Sequence, residues 1–196
     1  MQKGSLTLIS ILISAILLSG CATIIGGFSS TAEASGDGMG PATLSESNTT
    51  LQNDKFEALT IGANLTATKL VIGTDLKVTG NANLTKVTIK DDTSVGGDLI
   101  CDDATFKSSV NVHGNLTSSD SYFGEGIEFA GTTLQLNKGS KVVGEIINSN
   151  SQAVTLIIDH SVVKGNIGFA NAASRVILRN GGTLKGKLLN GKLEQE

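Results

Sequence analysis

The densest set of side chains able to do chemistry lies between residues 91 and 103, where Asp91, Asp92, Asp98, Asp102 and Asp103 occur without a single base. Clustered carboxylates can hold Ca²⁺ or act as acid and base on a glycosidic bond. Aromatic residues of the kind that stack on sugar rings follow downstream, as Tyr122, Phe123 and Phe129. Such a site requires the acidic stretch and the Tyr122 to Phe129 segment to share one groove. Against it, Asp91-Asp92 and Asp102-Asp103 fall in turns, where Asp caps backbone N–H groups and stays hydrated. His113 and His160 sit in turn-like positions with no evident carboxylate partner and read as exposed turn residues. Asn48, Asn64, Asn83 and Asn115 each open an Asn-x-Thr tripeptide. The last three precede a leucine at a corner, where Asn tolerates left-handed backbone and can stack into a hydrogen-bonded ladder. No residue is assigned a catalytic role, no Cys/His cluster points to a metal, and no cofactor is expected.

The start of the chain carries a different chemistry. Lys3, an apolar run from Leu6 to Leu17 and small residues before Cys21 are laid out as an export signal over residues 1–20. The apolar run is short for a permanent membrane span and lacks a positively charged flank after it. Leu18-Ser19-Gly20-Cys21 resembles the lipobox of bacterial lipoproteins. That resemblance implies cleavage before Cys21, a diacylglycerol on its thiol and a further acyl group on its amine; several chains together hold a protein on a membrane stably. Ala22, in the place where Asp favours inner-membrane retention, directs the expectation to the outer membrane. With Cys21 lipidated, Cys101 has no partner for an intrachain disulfide, and its position after Leu99-Ile100 reads as a small core hydrophobe.

The elements that must position these groups are strands. The chain has 24 glycines, one proline and no tryptophan, with a net charge of −3. That composition, rich in Val, Ile, Leu and Thr, favours short strands and many turns, and the charge gives no general attraction to nucleic acid. Residues 21–53 are small and polar, with Gly36-Asp37-Gly38 and Pro41, and read as a lipidated N-terminus and flexible tether.

From residue 54 to 193 a pattern repeats: two apolar residues one apart, a turn, then Val or Leu and, two places on, Gly. Leu70, Ile72, Val78 and Gly80 make one copy; Val87, Ile89, Val95 and Gly97, then Ala104, Phe106, Val112 and Gly114, follow at steps of seventeen residues. Leu134, Leu136, Val142 and Gly144 restart it after a gap, followed by Leu156, Ile158, Val163 and Gly165, then Val176, Leu178, Leu184 and Gly186. Alternation places the apolar residues on one face of short strands, and the glycine marks a corner that needs positive φ or close backbone approach. Such a unit cannot bury its inner face alone, but stacked units can. The expected body is all-β, a parallel β-helix (β-solenoid) of about seven coils, about 34 Å long at ~4.8 Å per coil. The interval from Thr117 to Thr133 reads as a degenerate coil, Leu59, Ile61 and Leu65 as an imperfect first coil, and Phe56 as a lid over the open end. A hexapeptide rhythm of the acyltransferase type fails after Leu84.

Segments such as Ser108-Ser109-Val110-Asn111-Val112-His113-Gly114-Asn115-Leu116 and Ser161-Val162-Val163-Lys164-Gly165-Asn166-Ile167 resemble the coils of bactofilins, polymer-forming bacterial β-helix proteins. The resemblance spans about residues 59 to 192. It implies a right-handed β-helix that assembles end to end without a nucleotide cofactor. The export signal departs from that family and moves the expectation from cytoskeleton to cell envelope. The outward residues of the first strand of each copy are read as Val71, Thr88, Thr105, Gln135, Ile157 and Ile177, so Ile157 and Ile177 are expected to form an exposed assembly surface. The expected function is a lipid-anchored structural or interaction protein, not an enzyme, that forms homo-oligomers or binds an envelope protein or polysaccharide. The alternatives are a carbohydrate-binding or carbohydrate-cleaving β-helix, or a surface adhesin.

Overall fold

The computed structural model describes residues 22–24, 31–32, 40–45 and 47–196, with side chains from residue 40 onward. The signal segment 1–20 and Cys21 lie outside the described residues. Every regular element described is a strand of two to five residues, and among the described residues no helix is long and apolar enough to cross a membrane.

The strands form three parallel sheets of ten, ten and eight members. Coil after coil, the chain contributes one strand to each, as Leu59–Ile61, Asn64–Thr68 and Val71–Ile72 do to the first, second and third sheets. Among the described residues, eight complete coils and two further strands at each end give about nine turns, where the sequence led to about seven.

The extra turns come from the segment read as tether. Ala42–Leu44 and Asn48–Gln52 pair in register with Leu59–Ile61 and Asn64–Thr68. Ala22–Ile24 and Thr31–Ala32 continue the same two sheets by one more strand each. At the other end the last strand, Lys192–Gln195, runs past the expected boundary at 193. Apolar periodicity missed the early coil because Thr49 and Asp54 occupy buried inward positions where later coils carry Leu65 and Leu70. Phe56 is a core residue of the third sheet, paired with Ile72, rather than a lid.

Inward residues alternate with outward ones along each strand, as period-two geometry dictates. The interior is a continuous apolar column that includes Ile61, Leu84, Phe106, Phe123, Leu136, Ile158 and Ile167. The rings of Phe106 and Phe123 stack with centroids 4.9 Å apart. The interval 117–133 is a regular coil: Tyr122–Phe123 and Ile127–Phe129 continue the seventeen-residue step, with Ser121 inward where earlier coils place Val87 and Ala104.

That polar substitution hid the coil and shifted the alignment of the repeat. Leu70-Ile72 and its two successors lie on the third sheet, whereas Leu134-Leu136, Leu156-Ile158 and Val176-Leu178 lie on the second. Apparent copies three and four are therefore one face out of step. Later coils are also longer: the step from Ile127 to Ile146 lengthens at Ala130 to Thr132 and at Lys138 to Ser140, and the steps on to Ile167 and Leu188 are longer because Asn148 to Val154 and Ala170 to Ser174 extend the corner between the first and second sheets.

Close approach, not left-handed backbone, explains the corner glycines. Gly80, Gly97, Gly114 and Gly131 each lie under a side-chain oxygen of the preceding coil, from Asn64, Asn81, Asp98 and Asn115, where a Cβ would collide. Those oxygens accept backbone N–H groups of Asn81, Asp98, Asn115 and Thr132 at 2.7–3.1 Å, forming a ladder up the rod. Positive φ recurs at another corner, between the second and third sheets, on Asn53, Lys69, Lys86, Asp103, Asp120, Lys138, His160 and Asn180, and among the described residues reaches the first-to-second-sheet corner only in the last coil, at Asn190 and Gly191. Six of the eight residues at that corner are neither the Asn nor the Gly that such a position favours, so the pattern is set by coil geometry rather than local preference.

Candidate assembly surfaces

The structure separates the residues that could have formed an acidic site. Asp91 and Asp92 lie at the corner between third and first sheets, Asp98 between first and second, and Asp102-Asp103 between second and third. One coil's carboxylates are thus distributed around its circumference and do not converge. Asp92 is held below the usual carboxylate range by the hydroxyls of Ser109 and Ser108, at 2.7 and 2.8 Å, and serves as an acceptor in a corner ladder. Phe123 and Phe129 are buried, and Tyr122 alone of that segment's aromatics faces out, with Lys141 Nζ 5.6 Å from its ring centre. His113 and His160 are exposed corner residues.

Of the Asn-x-Thr residues, Asn48, Asn64 and Asn115 belong to the corner ladder, while Asn83 lies on the outward row of the second sheet, opposite Thr66 and Ile100. None has positive φ. Of the other ladder members, Asp98 reads in the sequence as part of the acidic cluster and Asn81 is not singled out there, although each directly follows a repeat glycine.

Cys101 is buried beside Ser118 and Ser121, and loss of hydration pushes its thiol up to about 11. At pH 8 it is protonated and shielded, so a thiol reagent such as iodoacetamide should leave it unmodified in native protein and alkylate it only after denaturation. Rapid native labelling of Cys101, read by mass spectrometry, would contradict that burial.

Ile157 and Ile177 are register partners on the outward row of the second sheet, yet they do not form an exposed pair. Ile177 is 3% exposed and Ile157 is half-buried. Ile177 shares its row with Arg175 and Arg179 and stands opposite Glu194, and long charged side chains cover apolar neighbours with their aliphatic stems. Arg175–Glu194 and Arg179–Glu196 are ion-paired there. The six outward residues expected in one row divide between two sheets, because of the one-face shift.

Besides the single exposed Ile100 on the second sheet, two other places group apolar surface. At the C-terminal end of the stack, each sheet finishes on an inward leucine: Leu188 on the first, Leu193 on the second and Leu184 on the third. Leu193 is 54% exposed, although its inward partner one coil below, Val176, is fully buried. The strands carrying these leucines are the edge members of their sheets. The second place is a groove of about 430 Å³ on the outer face of the first sheet, lined by Ile147, Gly168 and Leu189 with Glu145 and Asn166 along one side. Its apolar residues directly follow Ile146, Ile167 and Leu188, which the repeat picks out as inward, so alternation itself marks them as outward.

No family model, curated protein or solved structure matches the chain.

Proposed function

We propose that this chain is a lipid-anchored structural protein of the bacterial cell envelope, whose solenoid body extends into longer assemblies by stacking end on end. The observation that carries this reading is the exposed leucine end of the stack, where Leu184, Leu188 and Leu193 lie beside unpaired strand edges. Such an end favours addition of another parallel strand layer, since burial of apolar surface and completion of backbone hydrogen bonds act together. Solenoids that remain single protect their ends with polar caps. The lipobox resemblance at Cys21 supplies the anchor, and the bactofilin-like coils supply the analogy for polymer formation.

The test uses the full-length chain. Cys21→Ser is expected to move the protein from the membrane fraction to the soluble fraction, and the soluble protein is expected to sediment as oligomers that lengthen with concentration. Adding Leu193→Asp should leave the thermal transition in place, since residue 193 is already solvent-exposed, and convert those oligomers to shorter species. Membrane retention of the Cys21→Ser chain would remove the anchor from the reading; unchanged oligomers with Leu193→Asp would remove the C-terminal joint.

A further inference from the structure

We infer that the outer face of the first sheet binds a second copy of this chain side by side, with the two rods antiparallel about a two-fold axis that runs along the strands at Gly168. The outward column there reads Glu128, Ile147, Gly168, Leu189 in successive coils. Ile147 and Leu189 are 46% and 53% exposed, and a Cβ at Gly168 would meet nothing within 4 Å. The face therefore presents two apolar knobs with a notch between them.

Beside this column runs a second one, Glu145, Asn166, Lys187, each the residue immediately before an inward position. The Asn166 amide donates to Glu145 Oε1 at 3.0 Å, and its own Oδ1 accepts the Lys187 N–H at 2.9 Å. Asn166 thus spaces an acid from a base two coils away. Lys187 enters no ion pair among the described residues.

A two-fold axis along the strands reverses the order of coils and keeps position along the strand. Ile147 of one copy then meets Leu189 of the other, Gly168 meets Gly168, and Glu145 meets Lys187. Symmetry makes each unlike contact twice, as an isologous interface requires. The alternative side-by-side pairing, with rods parallel, sets Lys77 on Lys77 and Glu128 on Glu128 in the central column. Like charges placed directly opposite disfavour that arrangement, and charge complementarity selects the antiparallel one.

Overlap in the antiparallel pair is limited to the coils carrying Ile147, Gly168 and Leu189, about 15 Å of rod at ~4.8 Å per coil. An interface that small is weak in solution, and tethering to a common membrane raises the effective concentration into the millimolar range. The lateral contact is independent of the end joint, because Leu193 faces the interior of the stack and takes no part in it.

The experiment uses the full-length chain with Cys21→Ser and Leu193→Asp, so that anchoring and end stacking are removed and lateral pairing alone is read. Equal amounts of ¹⁴N- and ¹⁵N-labelled protein are mixed at high concentration and treated with a carbodiimide, which joins a carboxylate to an amine in direct contact. The expected product is a Glu145–Lys187 crosslink between differently labelled copies. Glu145→Lys and Lys187→Glu should each weaken the dimer by about tenfold or more in sedimentation equilibrium, since each single reversal creates two like-charge contacts. The double reversal should restore it, and Gly168→Leu should abolish it without lowering Tm. Crosslinks confined to single copies, or a double reversal no better than the singles, would overturn the proposal.

Discussion

Ile158→Asp is expected to eliminate the cooperative thermal transition of this protein. Ile158 is fully buried and stands in an inward column between Leu136 and Leu178 on the second sheet. An aspartate there has no cation to pair with and no route to water within the stack. An uncompensated buried charge costs about 3–5 kcal/mol, comparable with the ~5–15 kcal/mol that holds a typical domain together. Parallel coils also transmit the damage, because each one buries its inner face only against its neighbours. The same substitution one coil on, Leu178→Asp, is the control: Leu178 is half-buried near the open end, so its carboxylate reaches water and the transition should survive at lower temperature. Circular dichroism melts of the two variants decide the matter. A full cooperative melt for Ile158→Asp would mean that the second sheet's inward register is wrong.

Gly165→Ala is expected to lower Tm by roughly 5–10 °C, whereas Gly168→Ala, three residues away, should leave it within about 1 °C. A Cβ on Gly165 would collide with the carbonyl oxygen of Gly144 in the coil below, and Gly186 repeats the relation to Gly165 in the coil above. The methyl group would have to force two backbones apart where they stack. Overpacking against immobile atoms costs on the order of 3 kcal/mol. Neither glycine has positive φ, so backbone strain does not enter the comparison. Gly168 differs only in facing open space on the outer surface. Calorimetry on dilute samples, where lateral association is absent, measures the contrast; equal Tm values for the two variants would show that coil separation at this corner is not what selects glycine.

The sequence's legibility varies along the rod. Coils with an apolar residue at each inward position, such as those carrying Ile72 and Ile89, announce their spacing because burial demands apolar side chains at every second residue. Residues 42–53, most of the first complete coil, read as tether, and the pattern starts only at residue 54, because Thr49 and Asp54 are buried at inward sites while being polar by type. Ser121, Ser140 and Ser161 do the same on the third sheet: their hydroxyls satisfy backbone groups locally, as Ser121 Oγ does with Ser119 O at 2.8 Å and Ser161 Oγ with Asp159 O at 2.8 Å. Composition cannot distinguish such a serine from one in a loop, since its burial is permitted by a partner that only the turn provides.

The candidate surfaces were less legible. Ile157 and Ile177 are outward by alternation, but whether an outward isoleucine is exposed depends on the residues two places along and one coil above. Arg175, Arg179 and Glu194 are more than fifteen residues apart at the extremes and meet only because the strands stack. The leucine end likewise follows from which strands are last in each sheet, a property of the stack rather than of any segment.

By itself the sequence determined that the body is a parallel solenoid, with a step of seventeen residues from Leu59 to Ile127, because side-chain alternation and recurrent glycine are local consequences of burial and close approach. Tertiary structure alone decided which sheet each strand joins, and therefore which acids, bases and apolar residues share a surface. Neighbours on that surface lie a full coil apart in the chain, so one misjudged turn reassigns every contact beyond it.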